Sequence, residues 1–477
     1  MTNTAQLLHN ATRGVVVAPA GYGKTHLIAE AVNVYGSNRE LILTHTHAGV
    51  DSIKRKLIKL NTSNRKNFQV ETIDGFILRY VSHYPKSCNW QGSLENIDWN
   101  NTRTCGINLF KSESIKNILK ASYTGLYVDE YQDCCKEQHS IVLEISSVLP
   151  TRILGDPMQG IFNFRNIQIV DWDSDVQSNY QQIAVLDTPW RWNNAKNPEL
   201  GNWLALQRDN IKSSRAITKN SLPSCIKWVK CNTEQDIIKE CYSVISSISA
   251  NETLIVIGIA DRVATTHNLA SKLRGICGIV EPLESRDLKE AINKLTDNCV
   301  FNKATGVLDI AVLCLSGINN TNLKTEYNSL KSKKLPKKKV KTVINDPLEE
   351  FVNTGDLNKM IVLMESFKNF PNSHLYRKEL YYEILKITKE SLRAGIPLKD
   401  ALIRVRENTR RIGRKIPKRA VARTLLVKGL EFDHAIVVSA DMYDAKNLYV
   451  ALTRATKTLT IIASSDSLLS NNNICKS

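Results

Sequence analysis

No two cysteines in this 477-residue sequence form a C-x-x-C pair. The eleven present are scattered, and only Cys134 and Cys135 are adjacent. Such an odd, unspaced set fits neither zinc nor iron–sulfur ligation. It reads as reduced thiols in a cytoplasmic protein. The opening stretch MTNTAQLLHN lacks a charged segment followed by an apolar one, so no secretory signal is expected. No apolar run approaches the roughly 20 residues that a bilayer span requires, so no membrane association is expected. Acidic residues are comparatively scarce, 47 against 64 lysines and arginines, for a formal charge of +17. That surplus points to a polyanionic partner, nucleic acid foremost, while a merely basic soluble protein stays open.

What is present is enough apolar residue, 42% of the chain, for more than one hydrophobic core, so two or more domains are expected. The most informative stretch is VVVAPAGYGKT, residues 15–25. A short apolar run, Val15 to Val17, meets a glycine-punctuated loop and then the helix-like HLIAEAVNVY. Strand, loop and helix at this spacing make a phosphate-binding P-loop. Gly21 and Gly23 permit backbone angles that a side chain forbids. With Ala20 and Tyr22 they present N–H donors for phosphate oxygens. Lys24 would reach the β- and γ-phosphates, and the Thr25 hydroxyl would ligate Mg²⁺. Ala18 stands where the general pattern has its first glycine. Upstream, Gln6 could read an adenine edge, and a plain surface glutamine fits as well.

Further along, Leu41–Leu43 read as a buried strand, and from Ala48 a helix puts Val50, Ile53 and Leu57 on one face. Thr44, His45, Thr46 and His47 fall at the strand's carboxyl end, where open α/β sheets bind ligands. Small hydroxyls there suit backbone phosphates of a nucleic acid. Residues 68–78 read as a strand running into Thr72-Ile73-Asp74-Gly75-Phe76. The next fifty or so residues, to Tyr127, look polar and irregular, an insertion on the first domain. Then GLYVDEYQD ends a strand in two carboxylates: Asp129 to hold Mg²⁺ and Glu130 to orient or deprotonate a water. After the next strand, TRILGDPMQGIF, Gln159 offers a neutral amide that could sense a γ-phosphate. Phe162, Phe164 and Arg165 interleave rings and charge, which suits base stacking and equally core packing. In PWRW, Arg191 suits a phosphate and Trp190 an adenine face, or both tryptophans are core.

Residues 206–290 read as a second α/β unit, with strands at Ile226–Cys231, Leu254–Ile259 and Ile276–Val280. Residues 291–417 are mostly helical and more basic. They hold KSKKLPKKKVK (331–341), and a second basic run covers 404–419. Either run could track phosphates, the lysine run could be a targeting signal, and a solvated loop is the leading reading. The second unit resumes with TLLVKGLEFDHAIVV and ends in NLYVALTRATKTLTIIA.

In order, APAGYGKT, ILTHTHAGV, VETIDGF, YVDEYQD, LGDPMQGIFNF, PWRW, KGLEF and YVALTRA resemble the motif series of the UvrD/Rep/PcrA family of superfamily 1 helicases. The resemblance spans residues 15–463 and omits 77–125 and 291–417. It implies an α/β fold of two RecA-like P-loop NTPase domains, a short insertion in the first and a larger, mostly helical one in the second. The expected boundaries are 1–205 for the first domain, and 206–290 with 418–477 for the second. It implies ATP and Mg²⁺, single-stranded or partly duplex DNA, and 3′ to 5′ movement. Lys24, Asp129, Glu130, Gln159, Arg191 and Arg454 match the family's hydrolysis residues, with Arg191 and Arg454 reaching the γ-phosphate from the two sides of an interdomain cleft. Gly429 and Glu431 match positions facing the nucleotide from the second domain, and Trp190 replaces the tyrosine that stacks on adenine. Thr44, His45, Thr46, Thr72, Phe162, Phe164 and Arg165 fall where the family contacts single-stranded DNA. His45 and His47 replace a phenylalanine and an asparagine, Phe164 a tryptophan, and Leu425 and Leu426 a histidine and a serine. A second function is compatible with the same residues: a DNA-sensing ATPase that regulates a partner nuclease, as in antiphage systems of the Gabija type. The compact first insertion and the absence of nuclease motifs favour that alternative.

Overall fold

A computed structural model describes residues 2–35, 39–60, 68–93, 97–162, 167–259, 262–282, 286–336, 342–412 and 416–469. Compactness divides the chain into two units. One is Met1–Arg215 with Asp444–Lys457 and Asn471–Ser477; the other is Ala216–Tyr443 with Thr458–Ser470. The division differs from the one the motif order implies. The helix Ala445–Leu452 falls in the first unit, while the helical residues 286–412 lie within the second.

The first unit is built on six strands: β1 (Arg13–Val17), β2 (Glu40–Thr44), β3 (Phe68–Thr72), β4 (Gly125–Val128), β5 (Thr151–Gly155) and β6 (Gln181–Val185). Their order is β3-β2-β4-β5-β1-β6. Every pairing is parallel. All carboxyl ends therefore lie along one edge, where ligands of such sheets bind. Side chains alternate faces along a strand. Val15, Val17, Leu41, Leu43, Leu126, Val128 and Ile153 pack into one core. Val16, Ile42, Tyr127 and Leu154 pack into the other, beneath helices Thr2–Asn10, Lys24–Tyr35 and His47–Lys59. The central strands β2, β4 and β5 are buried throughout, as a sheet covered on both faces requires.

The insertion expected at 77–125 is neither irregular nor separate. β3 stops at Thr72, and Ile73–His83, Trp99–Phe110 and Glu113–Ser122 are helices. Phe76, Ile77, Tyr80 and Val81, with Leu109, Phe110, Ile115 and Leu119, recur at helical spacing and pack into the first core. Polar residues between them mask that stripe in the sequence.

The second unit has strands β7 (Ile226–Lys230), β8 (Leu254–Gly258), β9 (Gly278–Ile279), β10 (Arg419–Arg423), β11 (Phe432–Val437) and β12 (Ala455–Ala463). They are ordered β9-β10-β8-β11-β12-β7. Residues 455–457 of β12 fall to the first unit and the rest to the second. The described helices between Arg286 and Ile412 have a core of their own, with Leu308, Phe351, Phe367, Tyr381 and Ile384 at its centre. Arg377, 1% exposed, forks onto both oxygens of Glu281 at 2.6 and 2.9 Å and reaches Asp287 at 2.6 Å. These are two RecA-like α/β folds, the second carrying a helical insertion, as expected. Among the described residues, no helix is long and apolar enough to cross a membrane.

Candidate nucleotide and nucleic-acid site

β1 ends at Val17, and the chain turns through Ala18–Gly23 into the helix that begins at Lys24. The turn uses the two glycines as expected, with φ of 76° at Gly21 and 89° at Gly23. A Cβ on Gly21 would lie 2.9 Å from both Arg191 Cβ and the Trp192 ring, so no side chain fits there. Arg191 is fastened to this loop, its backbone N–H donating to Gly21 O at 2.9 Å.

Lys24 is 7% exposed and donates to Ala18 O at 3.0 Å. Its Nζ lies 3.6 Å from Glu130 Oε1. The Thr25 hydroxyl donates to Asp129 Oδ2 at 3.3 Å. Asp129, at the end of β4, is buried, and its carboxyl is pushed up to about 6 by that burial and by Glu130, against the pull of Lys24. Glu130 has φ of 56°, a left-handed conformation that a non-glycine residue adopts at a cost. The strain turns its carboxylate toward Lys24 while its backbone N–H donates to Asp129 Oδ1 at 3.0 Å. A hydroxyl and a carboxylate side by side are the hard oxygen donors that suit Mg²⁺, which keeps most of its ligands as water. Thr25 and Asp129 therefore fit the ion.

A buried polar network joins these acids to the end of β5. Gln132 Nε2 donates to Glu130 Oε2 at 2.6 Å, and Gln132 Oε1 accepts from the Asp156 backbone N–H at 2.9 Å. Gln159, 3% exposed, donates to Asp156 Oδ2 at 3.0 Å. Arg208 donates to Asp156 Oδ1 at 2.8 Å, and neither side chain is more than 7% exposed. Tyr449 receives the Ala20 backbone N–H at 3.2 Å and also pairs with Arg208. Gln132, Asp156, Arg208 and Tyr449 were not singled out from the sequence. Gln132, Asp156 and Tyr449 lie inside the motifs YVDEYQD, LGDPMQGIFNF and YVALTRA. Arg208 lies in none, and no local pattern marks it.

Arg191 and Arg454 come together at Thr453. Arg191 Nη1 donates to Thr453 O at 2.7 Å, and Arg454 Nη2 donates to the Thr453 hydroxyl at 2.8 Å. Arg454 is fully buried and also donates to Val450 O at 2.8 Å. It falls in the first unit, since the helix Ala445–Leu452 before it packs against Pro157–Gln159 and helix Pro198–Lys212. Trp192 is the core tryptophan of the PWRW pair, donating to Ala455 O at 2.8 Å, while Trp190 is 39% exposed. Gln6 stands on the exposed face of the first helix. In the second unit, Gly429 has φ of 80° and, like Glu431, is exposed.

The carboxyl ends of β2 and β3 are neighbours, with Thr44 opposite Thr72 in register. Thr46 accepts from Gly49 N at 3.0 Å and Thr72 from Gly75 N at 3.1 Å, so both hydroxyls cap helices. Thr44 is 2% exposed, and His45 is half-buried with its Nε2 3.4 Å from Cys134 Sγ. Phe162 is half-buried, and Phe164 and Arg165 lie outside the described residues.

Residues 93–175 match the family model described as the UvrD/REP helicase N-terminal domain. That segment holds Asp129, Glu130, Gln132, Asp156 and Gln159, and with them two of the eight motifs that resemble superfamily 1 helicases. No curated protein matches the chain. Among solved structures, a Pif1 helicase from Candida albicans aligns at 10% identity with a TM-score of 0.41, over 97% of this chain and 94% of that one. The helicase of the virus PRRSV aligns at 10% identity with a TM-score of 0.35, over 96% of this chain. The present chain spans 54% of the length of that helicase.

Proposed function

We propose that the protein hydrolyses ATP and uses it to move along single-stranded DNA, 3′ to 5′, as a DNA helicase. The observation that carries this reading is the cluster of Lys24, Thr25, Asp129, Glu130 and Gln159 at the carboxyl edge of one parallel sheet. Lys24, now resting on Ala18 O, is placed to take up phosphate oxygens with the amides of residues 20–25. Glu130 orients the attacking water and accepts its proton, and Gln159 senses the terminal phosphate from the next strand. Arg191 supplies positive charge beside the loop, and Arg454 supports it at Thr453. Mg²⁺, held by Thr25 and Asp129 when bound, would neutralise phosphate charge. Trp190 provides an exposed face for adenine and Gln6 an exposed amide for its edge, and Gly429 and Glu431 are assigned to nucleotide binding by their match to the family's positions.

The DNA track we assign runs over the carboxyl ends of β2 and β3 and includes Phe162, with Phe164 and Arg165 assigned to DNA binding from the motif alone. Two capped helix N-termini, of His47–Lys59 and Ile73–His83, start side by side there and favour phosphate charge. One observation favours the alternative of a DNA-sensing ATPase that regulates a partner nuclease. The first insertion is absorbed into the core and offers no separate lobe to engage duplex DNA.

The test is Lys24→Ala. ATP hydrolysis falls to background while single-stranded DNA binding stays within about threefold, since the loop and the track are separate surfaces. Equal loss of both refutes that separation. Wild-type hydrolysis that single-stranded DNA stimulates, without unwinding of any overhang, selects the regulatory alternative.

A further inference from the structure

We infer that Arg208 is a positioning residue for nucleotide hydrolysis, tying the Gln159 end of β5 to the phosphate loop through Asp156 and Tyr449. This rests on the ATPase reading above.

Three observations converge on Arg208. First, its helix, Pro198–Lys212, lies outside every motif, and yet the Arg208 side chain is only 7% exposed and its Nη2 donates to Asp156 Oδ1. A surface ion pair has no reason to be driven inward, because burying a charge is unfavourable unless its partners are fixed. Second, its partners lie on two separate functional segments. One is Asp156, whose other oxygen receives Gln159. The other is Tyr449, whose hydroxyl receives the Ala20 amide of the phosphate loop. Third, Asp156 is itself held from the acids' side, since its backbone N–H donates to Gln132, which donates onward to Glu130. Removing Arg208 therefore frees Gln159, the loop's first half and the water-orienting acid from a common frame. Burial works against the guanidinium charge, but Asp156 and Tyr449 outweigh it and hold its pKa above the ordinary value. It stays cationic wherever the protein is folded. Arg208 touches no reacting atom, so its effect falls on the rate of the chemical step rather than on nucleotide capture.

The experiment compares wild type with Arg208→Lys, Arg208→Met, Tyr449→Phe and the double variant Asp156→Asn/Arg208→Met. The readouts are kcat and KM for ATP with saturating single-stranded DNA, direct ATP binding, and thermal unfolding. Arg208→Met is expected to lower kcat by about tenfold or more with KM and binding within about threefold. Arg208→Lys recovers part of the rate. The double variant is no slower than Arg208→Met, because both changes break one connection. Wild-type kcat in a folded Arg208→Met overturns the proposal, as does a loss that appears only in KM. Where Arg208→Met does not fold, Tyr449→Phe decides: it deletes one hydroxyl, and an unchanged kcat overturns the proposal while a several-fold fall supports it. A wild-type protein that hydrolyses no ATP fails the underlying reading instead, and does so before any variant is made.

Discussion

Asp129→Asn should stabilise the protein at neutral pH in the absence of divalent cations, although it removes a residue of the site. The carboxyl is buried beside Glu130 and titrates at about 6, against an ordinary 3.8. The gap corresponds to ~3 kcal/mol. The sign follows from proton linkage. Below the ordinary value the carboxyl is protonated in both folded and unfolded chains, and nothing separates them. As pH rises toward 6 the unfolded chain ionises first, and stability falls. Above 6 both are ionised and the full penalty remains. The amide carries no such penalty, and Lys24 keeps Glu130 at 3.6 Å and Ala18 O at 3.0 Å as partners. The assay is thermal unfolding of parent and variant from pH 4 to pH 8 in chelator. The variant's advantage should be near zero at pH 4 and open through pH 6. It should then level off at several degrees, given ~2–4 °C per kcal/mol for a domain of this size. Added Mg²⁺ should close the gap by stabilising only the parent. A variant that melts no higher than its parent at pH 7.5, or by a margin independent of pH, refutes the account of Asp129 as a strained anion awaiting a cation.

Other outcomes follow from individual contacts. Gly21→Ala forces a Cβ at φ of 76° to within 2.9 Å of Arg191 and Trp192, and should weaken ATP binding by more than about tenfold, read by nucleotide titration. Arg377→Met removes the guanidinium that both oxygens of the buried Glu281 carboxylate face and should lower stability by ~3–5 kcal/mol in urea unfolding. Single-stranded DNA affinity should fall with salt on a log–log slope of about −0.7 per phosphate contacted. A flat dependence would mean that the +17 charge serves something else.

The edge residues of the first sheet were legible because they are local. Gly21, Gly23, Lys24 and Thr25 declare themselves by spacing, and Asp129 and Glu130 by following a four-residue apolar run. Helix His47–Lys59 was legible by periodicity, from Val50, Ile53 and Leu57 on one face. The helices after β3 were not, because Asn, Ser and Lys fill the gaps between Phe76, Tyr80, Leu109 and Leu119 and make the segment look polar. β6 escaped because it is an edge strand, QQIAV, partly exposed along its length and without alternation. β10, RAVAR, hid at the end of a basic run. Arg208 and Tyr449 were beyond reach for another reason. Their meaning lies in partners 52 and 429 residues away along the chain, and no window of sequence holds such pairs.

The membership of Asp444–Lys457 in the first unit also bears on the order in which the molecule is made. A nascent chain that has emerged as far as Arg215 holds the whole first sheet, but not the carbonyls that receive Arg191 and Trp192, nor the hydroxyl that receives Ala20. Those arrive roughly 240 residues later, about 10–50 s at ~5–20 residues per second. Throughout that interval the phosphate loop lacks its far-side support, and the loop is completed only when the last motif leaves the ribosome. A truncated or stalled product that stops short of Ala455 would carry the acids and the lysine without a finished site.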